Sequence, residues 1–166
     1  MGVSINTSTS HAAQRTLFGA VKNNTQNYAM SAAGCAVSGA SGADVKFANT
    51  VTYAIGGVIK TKSTATVDMS AQTTPALDDQ AADTQCNYLI CINAAATAYV
   101  VQGTPSADAD TAAEWPATPA GSVCVGGFVV KNEMTYEYVP GTTTWDAASL
   151  TETFYDFTAS PADILE

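Results

Sequence analysis

Between Val51 and Lys62 two alternating runs, Val-Thr-Tyr-Ala-Ile and Val-Ile-Lys-Thr-Lys, flank the dipeptide Gly56-Gly57. A two-residue connection between strands needs positive φ at one or both central residues. Glycine adopts that without a Cβ clash, so the turn and the register are specified together. The stretch therefore predicts a β-hairpin in which Ile55 opposes Val58, Tyr53 opposes Lys60 and Val51 opposes Lys62. Val51, Tyr53, Ile55 and Val58 would share one face with two lysine stems laid over it. Thr52, Ala54, Ile59 and Thr61 would share the other. Neither face carries a nucleophile, a metal ligand or a general base in a recognisable arrangement.

Alternation extends on both sides of this hairpin. Tyr28 to Val37 predicts a first strand, and Ser38-Gly-Ala-Ser-Gly42 a flexible connection. From Val45 the apolar residues Phe47, Val51, Tyr53 and Ile55 hold the odd positions, which predicts a half-buried strand from Val45 to Ile55. Thr64 to Met69 continues with Ala65, Val67 and Met69 on one side. Gln72 to Thr84 reads as a loop or a helical turn. Tyr88-Leu-Ile-Cys-Ile92 is apolar on both faces, as a central strand is, and Asn93-Ala-Ala-Ala96 turns it into Thr97 to Gln102.

Pro105, Pro116 and Pro119 keep Gly103 to Gly121 out of a sheet interior. Val123 and Val125 are odd while Phe128 and Val130 are even, so a β-bulge is expected at Gly126-Gly127, where the phase changes. Thr135 to Val139 and Thr151 to Thr158 complete the strands, the latter with Thr153, Tyr155 and Phe157 on one face. Thr144 is placed to cap a short turn between them. Many short strands with little helix predict an all-β fold, a β-sandwich or barrel-like body of antiparallel strands over residues 28–166. Residues 1–27, rich in Ser, Thr, Asn and Gln and without sustained period, read as an extended N-terminal arm.

Charge narrows the classes of partner. Charged residues make up 13% of the chain, about half the usual share, while alanine and threonine supply about a third of it. Such a hydroxyl-rich surface suits contact with neighbours in an assembly, because few charges must be desolvated. No acid precedes Asp44, so Arg15 and Lys22 leave that section at +2; the remaining 4 bases and 15 acids put the rest at −11. No Lys or Arg lies between Lys62 and Lys131 or after Lys131, which argues against direct nucleic-acid binding. No segment has the apolar length of a membrane span, and Met1 to Gly19 lacks the basic start and apolar core of a signal peptide. Folding in the cytoplasm of the cell that makes it is the expectation.

The chemistry-bearing residues form no reaction motif. Cys35, Cys86, Cys91 and Cys124 lack zinc-site spacing and read as buried free thiols, a Cys91–Cys124 disulfide between neighbouring strands being the alternative. His11, the only histidine, falls in the arm, where nothing holds it against a nucleophile. Asp78, Asp79 and Asp83, and Asp108, Asp110 and Glu114, lack EF-hand spacing and read as solvated loops. Trp115 and Trp145 read as plugs at the ends of the core, with stacking on a sugar ring as the alternative. No cofactor, metal or catalytic residue is expected. In the arm, Leu17, Phe18 and Val21 lie between Arg15 and Lys22. These five residues are the candidate contacts to a partner, against the alternative of a chance apolar cluster in a tail.

Four segments in order carry a resemblance: Val51-Thr-Tyr-Ala-Ile-Gly-Gly-Val-Ile-Lys-Thr-Lys62; Tyr88-Leu-Ile-Cys-Ile-Asn-Ala94; Trp115-Pro-Ala-Thr-Pro-Ala-Gly121 leading to Gly126-Gly-Phe-Val-Val130; and Pro140-Gly-Thr-Thr-Thr-Trp-Asp-Ala-Ala148. Together they resemble a group of tailed-bacteriophage virion proteins, the capsid decoration (cement) proteins and related head-fibre modules. The resemblance spans about Val45 to Thr158 and leaves the arm outside. It implies a β-rich, often trimeric body on the virion surface that clamps neighbouring subunits of the major capsid protein, without catalysis. A head-fibre or tail-associated module that binds host glycans is the alternative.

Overall fold

The computed structural model describes residues 27–39 and 41–158. They form an all-β body of ten strands, with no helix among the described residues. The strands are β1 (Tyr28–Ala29), β2 (Cys35–Val37), β3 (Val45–Phe47), β4 (Val51–Ile55), β5 (Val58–Lys62), β6 (Ala65–Val67), β7 (Thr84–Asn93), β8 (Ala98–Gln102), β9 (Ser122–Asn132) and β10 (Leu150–Asp156). They build three antiparallel sheets, ordered β10-β9-β7-β8, β2-β3-β6 and β1-β4-β5. The first two sheets meet at both borders, β6 against β8 and β2 against β10, and so close a sandwich-like, flattened barrel. At the second border the Cys35 N–H donates to Asp156 Oδ1 at 3.1 Å. The third sheet lays β1 and β4 against β9.

The long pair β7–β9 forms the frame. Its core face carries Cys86, Tyr88, Ile90 and Ile92 from β7 and Val123, Val125, Phe128 and Val130 from β9, all buried. Tyr88 stacks on Phe128 with ring centroids 4.8 Å apart, and Trp145 meets Phe128 edge-on at 5.8 Å. Such pairs add about 0.5–1.5 kcal/mol each beyond the area they bury. A bulge is present, but at Val125 rather than at Gly126-Gly127: Leu89 and Ile90 pair with Gly127 and Gly126, and Cys91 pairs with Cys124, which leaves Val125 without a partner. That extra residue lets Val123 and Val125 face the core together with Phe128 and Val130, although their parities differ.

Polar groups inside this frame are tied together. Gln80, fully buried, donates from Nε2 to the carbonyls of Thr84 and Val130 at 3.0 and 3.1 Å and accepts from the Tyr88 hydroxyl at 3.1 Å. Asn132 Nδ2 donates to the carbonyls of Ala81 and Tyr136, and its Oδ1 accepts from the Met134 N–H. Segments without strand partners of their own are thereby fastened to β7 and β9.

The hairpin has the predicted register throughout, from Ile55 opposite Val58 to Val51 opposite Lys62. Gly56 and Gly57 have φ of 60° and 75°, a primed turn. Val51, Tyr53 and Ile55 are buried as expected, but Val58 is 57% exposed because β5 runs past the edge of the core. Other expectations need correction. Tyr28 to Val37 is not one strand: β1 joins β4 and β2 joins β3. Val45 to Ile55 is likewise divided into β3 and β4, which belong to different sheets. Both sheets face one core, so side-chain alternation continues across the corner while the hydrogen-bonding partner changes. Thr135 to Val139 holds only an isolated bridge between Tyr138 and Gln80. Thr144 does not cap through its side chain; its hydroxyl donates to Asp146 at 2.6 Å while its carbonyl accepts from the Ala147 N–H.

A Cβ at Gly57 meets open space, so substitution there costs backbone strain alone. Gly57→Val should destabilise the protein by about 1–3 kcal/mol, a melting temperature lower by roughly 2–12 °C. Thermal unfolding followed by circular dichroism reads this, and an unchanged transition contradicts the assigned turn.

Candidate interaction surface

β5 is the outer strand of its sheet. In a two-residue hairpin the pair flanking the turn is hydrogen-bonded, and so is every second pair after it. Val58, Lys60 and Lys62 therefore bond to β4, while Ile59 and Thr61 turn their N–H and C=O groups outward. Among the described residues no hydrogen bond meets these outward groups. The side chains add apolar surface at the same place, with Val58 57% and Ile59 62% exposed.

The β8 border is covered. On β8 the Gln72 side-chain amide accepts from Val100 N–H at 2.7 Å and donates to the Val100 carbonyl at 2.6 Å, standing in for a neighbouring strand. β5 has no such cover among the described residues, and an open strand edge is a template for pairing with another chain.

Electrostatics single out the same strand. Lys60 and Lys62 lie over Tyr53 and Val51, and Lys60 Nζ donates to the Ala94 carbonyl at 2.7 Å, which braces the hairpin against the β7–β8 turn. Lys131 is engaged elsewhere, 2.9 Å from Asp110 and 3.0 Å from Glu133. Two of the acids close turns. Asp68 accepts from the Ser70 hydroxyl and from the Ser70 and Ala71 N–H groups; the Ser70 hydroxyl is the chief reason its carboxyl sits below the usual range. Asp108 accepts from the Asp110 and Thr111 N–H groups, and its carboxyl is lowered chiefly by the Thr111 side chain and then by the Thr111 N–H. Among the described residues no group of three or more His, Cys, Asp or Glu is placed to hold a metal.

The two tryptophans separate. Trp145 plugs the core, 5% exposed, with Nε1 donating to the Asp44 carbonyl at 2.9 Å. Trp115 does not; it lies on the outer face of the four-stranded sheet, 42% exposed, edge-on to Tyr155 and Phe157. It reaches the sheet because residue 127 is glycine: a Cβ there would stand 2.6 Å from Trp115 Cζ3. Beside it opens a recess of about 500 Å³ bounded by Gln102, Pro105, Thr111, Glu114 and Pro116.

The sequence-derived contacts Arg15, Leu17, Phe18, Val21 and Lys22 lie outside the described residues, as does His11. Alternation puts Val58 and Ile59 on opposite faces of the hairpin and gives no reason to single them out. Their signal was two successive apolar residues directly after the turn, where a hairpin tip outruns its core. No protein-family model matches the chain, and the searches of curated proteins and of solved structures find no match either.

Because Ile59 is 62% exposed, Ile59→Asp should leave unfolding within about 0.5 kcal/mol of the parent when both are compared as dissociated monomers. Urea titration measures this, and a larger loss means that the strand packs on the body.

Proposed function

We propose that this chain is a structural protein of a tailed-phage head, a decoration protein on the outer capsid surface that bridges neighbouring major capsid subunits and catalyses nothing. The observation that carries the reading is the open edge of β5, with apolar Val58 and Ile59 exposed beside Lys60 and Lys62. The resemblance over Val45 to Thr158 supports the same reading, as does a surface poor in charge.

The occupant of the β5 edge is a second copy of the chain. Its lysines are a basic feature on a chain of net charge −9, so they complement the acidic remainder of a neighbour rather than another β5 edge. A contact between two different surfaces closes into a ring when its rotation permits, and the ring in this reading is a homotrimer. Residues 1–27 dock on the major capsid protein through Leu17, Phe18 and Val21, with Arg15 and Lys22 meeting acidic groups. Three arms engaging together compensate for the ordering cost of each. The protein is made in the host cytoplasm and resides on the virion. Direct nucleic-acid and membrane partners have no place in this reading. A glycan-binding fibre module is the second reading, favoured by the exposed Trp115 beside its recess.

Light scattering at micromolar concentration should give the mass of three 17.0 kDa chains, and Ile59→Asp should shift it to one. A parent protein that stays at 17.0 kDa contradicts the trimer. Deletion of residues 1–26, which keeps the Asn27 side chain that accepts from the Gly56 N–H, should leave the trimer intact but abolish co-sedimentation with undecorated capsids. Unchanged occupancy would move the capsid contact to the β-body.

A further inference from the structure

We propose that Cys91 and Cys124 are a modification site: an oxidant converts this dithiol into a disulfide that staples β7 to β9 at the bulge. The two residues are direct cross-strand partners, and their Sγ atoms lie 2.9 Å apart as free thiols. Cross-strand partners have Cα atoms about 4.5–5.5 Å apart, inside the roughly 4.4–6.8 Å that a disulfide spans, so closure requires no strand movement. The bulge is what creates the pair. An unbroken register after the Ile90–Gly126 pair would set Cys91 opposite Val125; the bulge skips Val125 and brings Cys124 there instead.

The surroundings give the two sulfurs different roles. Cys91 is fully buried, whereas Cys124 is half-buried and borders a recess of about 230 Å³ with Asn27, Thr118 and Phe157. Thr118 Oγ1 stands 3.1 Å from Cys124 Sγ. The hydrogen bond from Cys91, then the one from Thr118, holds the Cys124 thiol below the usual thiol range against the opposing effect of burial. The same sulfur–sulfur contact, then burial, pushes Cys91 up. Cys124 is therefore the attacking sulfur and Cys91 the resolving one.

Cys35 and Cys86 are unlike this pair. Burial, then the adjacent Asp156 carboxylate, pushes the Cys35 thiol far up. Cys86 Sγ is fully buried against the Asn87 and Gly103 carbonyls.

With peroxide as oxidant, the Cys124 thiolate attacks one peroxide oxygen and the O–O bond breaks. The departing hydroxide takes up a proton to become water, leaving a sulfenic acid on Cys124. Cys91 then attacks that sulfur, the S–O bond breaks, and the proton of Cys91 leaves with the hydroxide as a second water. Two thiols and one peroxide thus become one disulfide and two waters. The chemistry does not depend on the head-protein reading. Resting on that reading, the bond would form after the particle leaves a reducing cytoplasm and would lock the sheet in the released virion.

The test uses the purified full chain, freed of reductant and pulsed with hydrogen peroxide while native. Thiol counting in denaturant should fall from four to two, and intact mass should fall by two hydrogens. No Lys or Arg separates Cys86, Cys91 and Cys124, so trypsin leaves them on one peptide; chymotryptic cleavage after Tyr88 and Tyr99 resolves them and should yield a Cys91–Cys124 linked pair. Cys124→Ser should keep its three thiols under the same pulse, and the oxidised parent should melt several degrees higher than the reduced one. Four thiols remaining, oxygen added to Cys124 without a link, or a link through Cys35 or Cys86 would each overturn the proposal.

Discussion

The antiparallel register between Thr84–Asn93 and Ser122–Asn132 is the constraint on which the other parts of the body depend. One face of this pair supplies Tyr88, Ile90, Phe128 and Val130 to the core, where each large apolar side chain contributes about 1.5–3 kcal/mol on burial. A slip by one residue would send that set to the other face. The bulge at Val125 and the buried amides of Gln80 and Asn132 oppose such a slip, because their hydrogen bonds are satisfied in one register only. The outer face inherits the same register. It sets Gly127 beneath Trp115 and Cys124 opposite Cys91.

Around this frame the protein covers some borders and leaves one open. Gln72 imitates a strand beside β8, and β2 and β10 are joined through Asp156, so sheet edges that would attract other chains are occupied. β5 instead carries exposed Val58 and Ile59 beyond the core, beside lysines that discourage pairing with its own kind but suit an acidic neighbour. The pairing of a hydroxyl-rich, charge-poor body with the uncovered basic edge of β5 is what the proposed assembly role draws on.

Local signals in the sequence identified the hairpin fully, since turn chemistry and alternation specify one register between Val51 and Lys62. The apolar run at Tyr88, the second hairpin and the presence of a bulge were legible for similar reasons. Strand continuity was not. Alternation from Val45 to Ile55 reports which side faces the core, and the core is shared by two sheets, so the corner at Ala48–Thr50 leaves no mark in the period. Thr135 to Val139 failed for the opposite reason: Tyr138 exchanges its backbone bonds with Gln80, fifty-eight positions away, and the Tyr136 carbonyl accepts from the Asn132 side chain, so no ladder forms. The nearness of Cys91 to Cys124 could be anticipated only as an option, because it depends on where one extra residue falls. Trp115 was misassigned because the glycine that seats it lies twelve positions away in sequence.

The central claim is that the open edge and the arm serve a repeated place on a capsid. Quantifying this chain against the major capsid protein in purified particles tests it most directly. The account predicts a copy number comparable with that of the major capsid protein, in fixed proportion from one preparation to the next. A handful of copies per particle would assign the chain to a fibre or tail, and its absence from particles would contradict the account altogether.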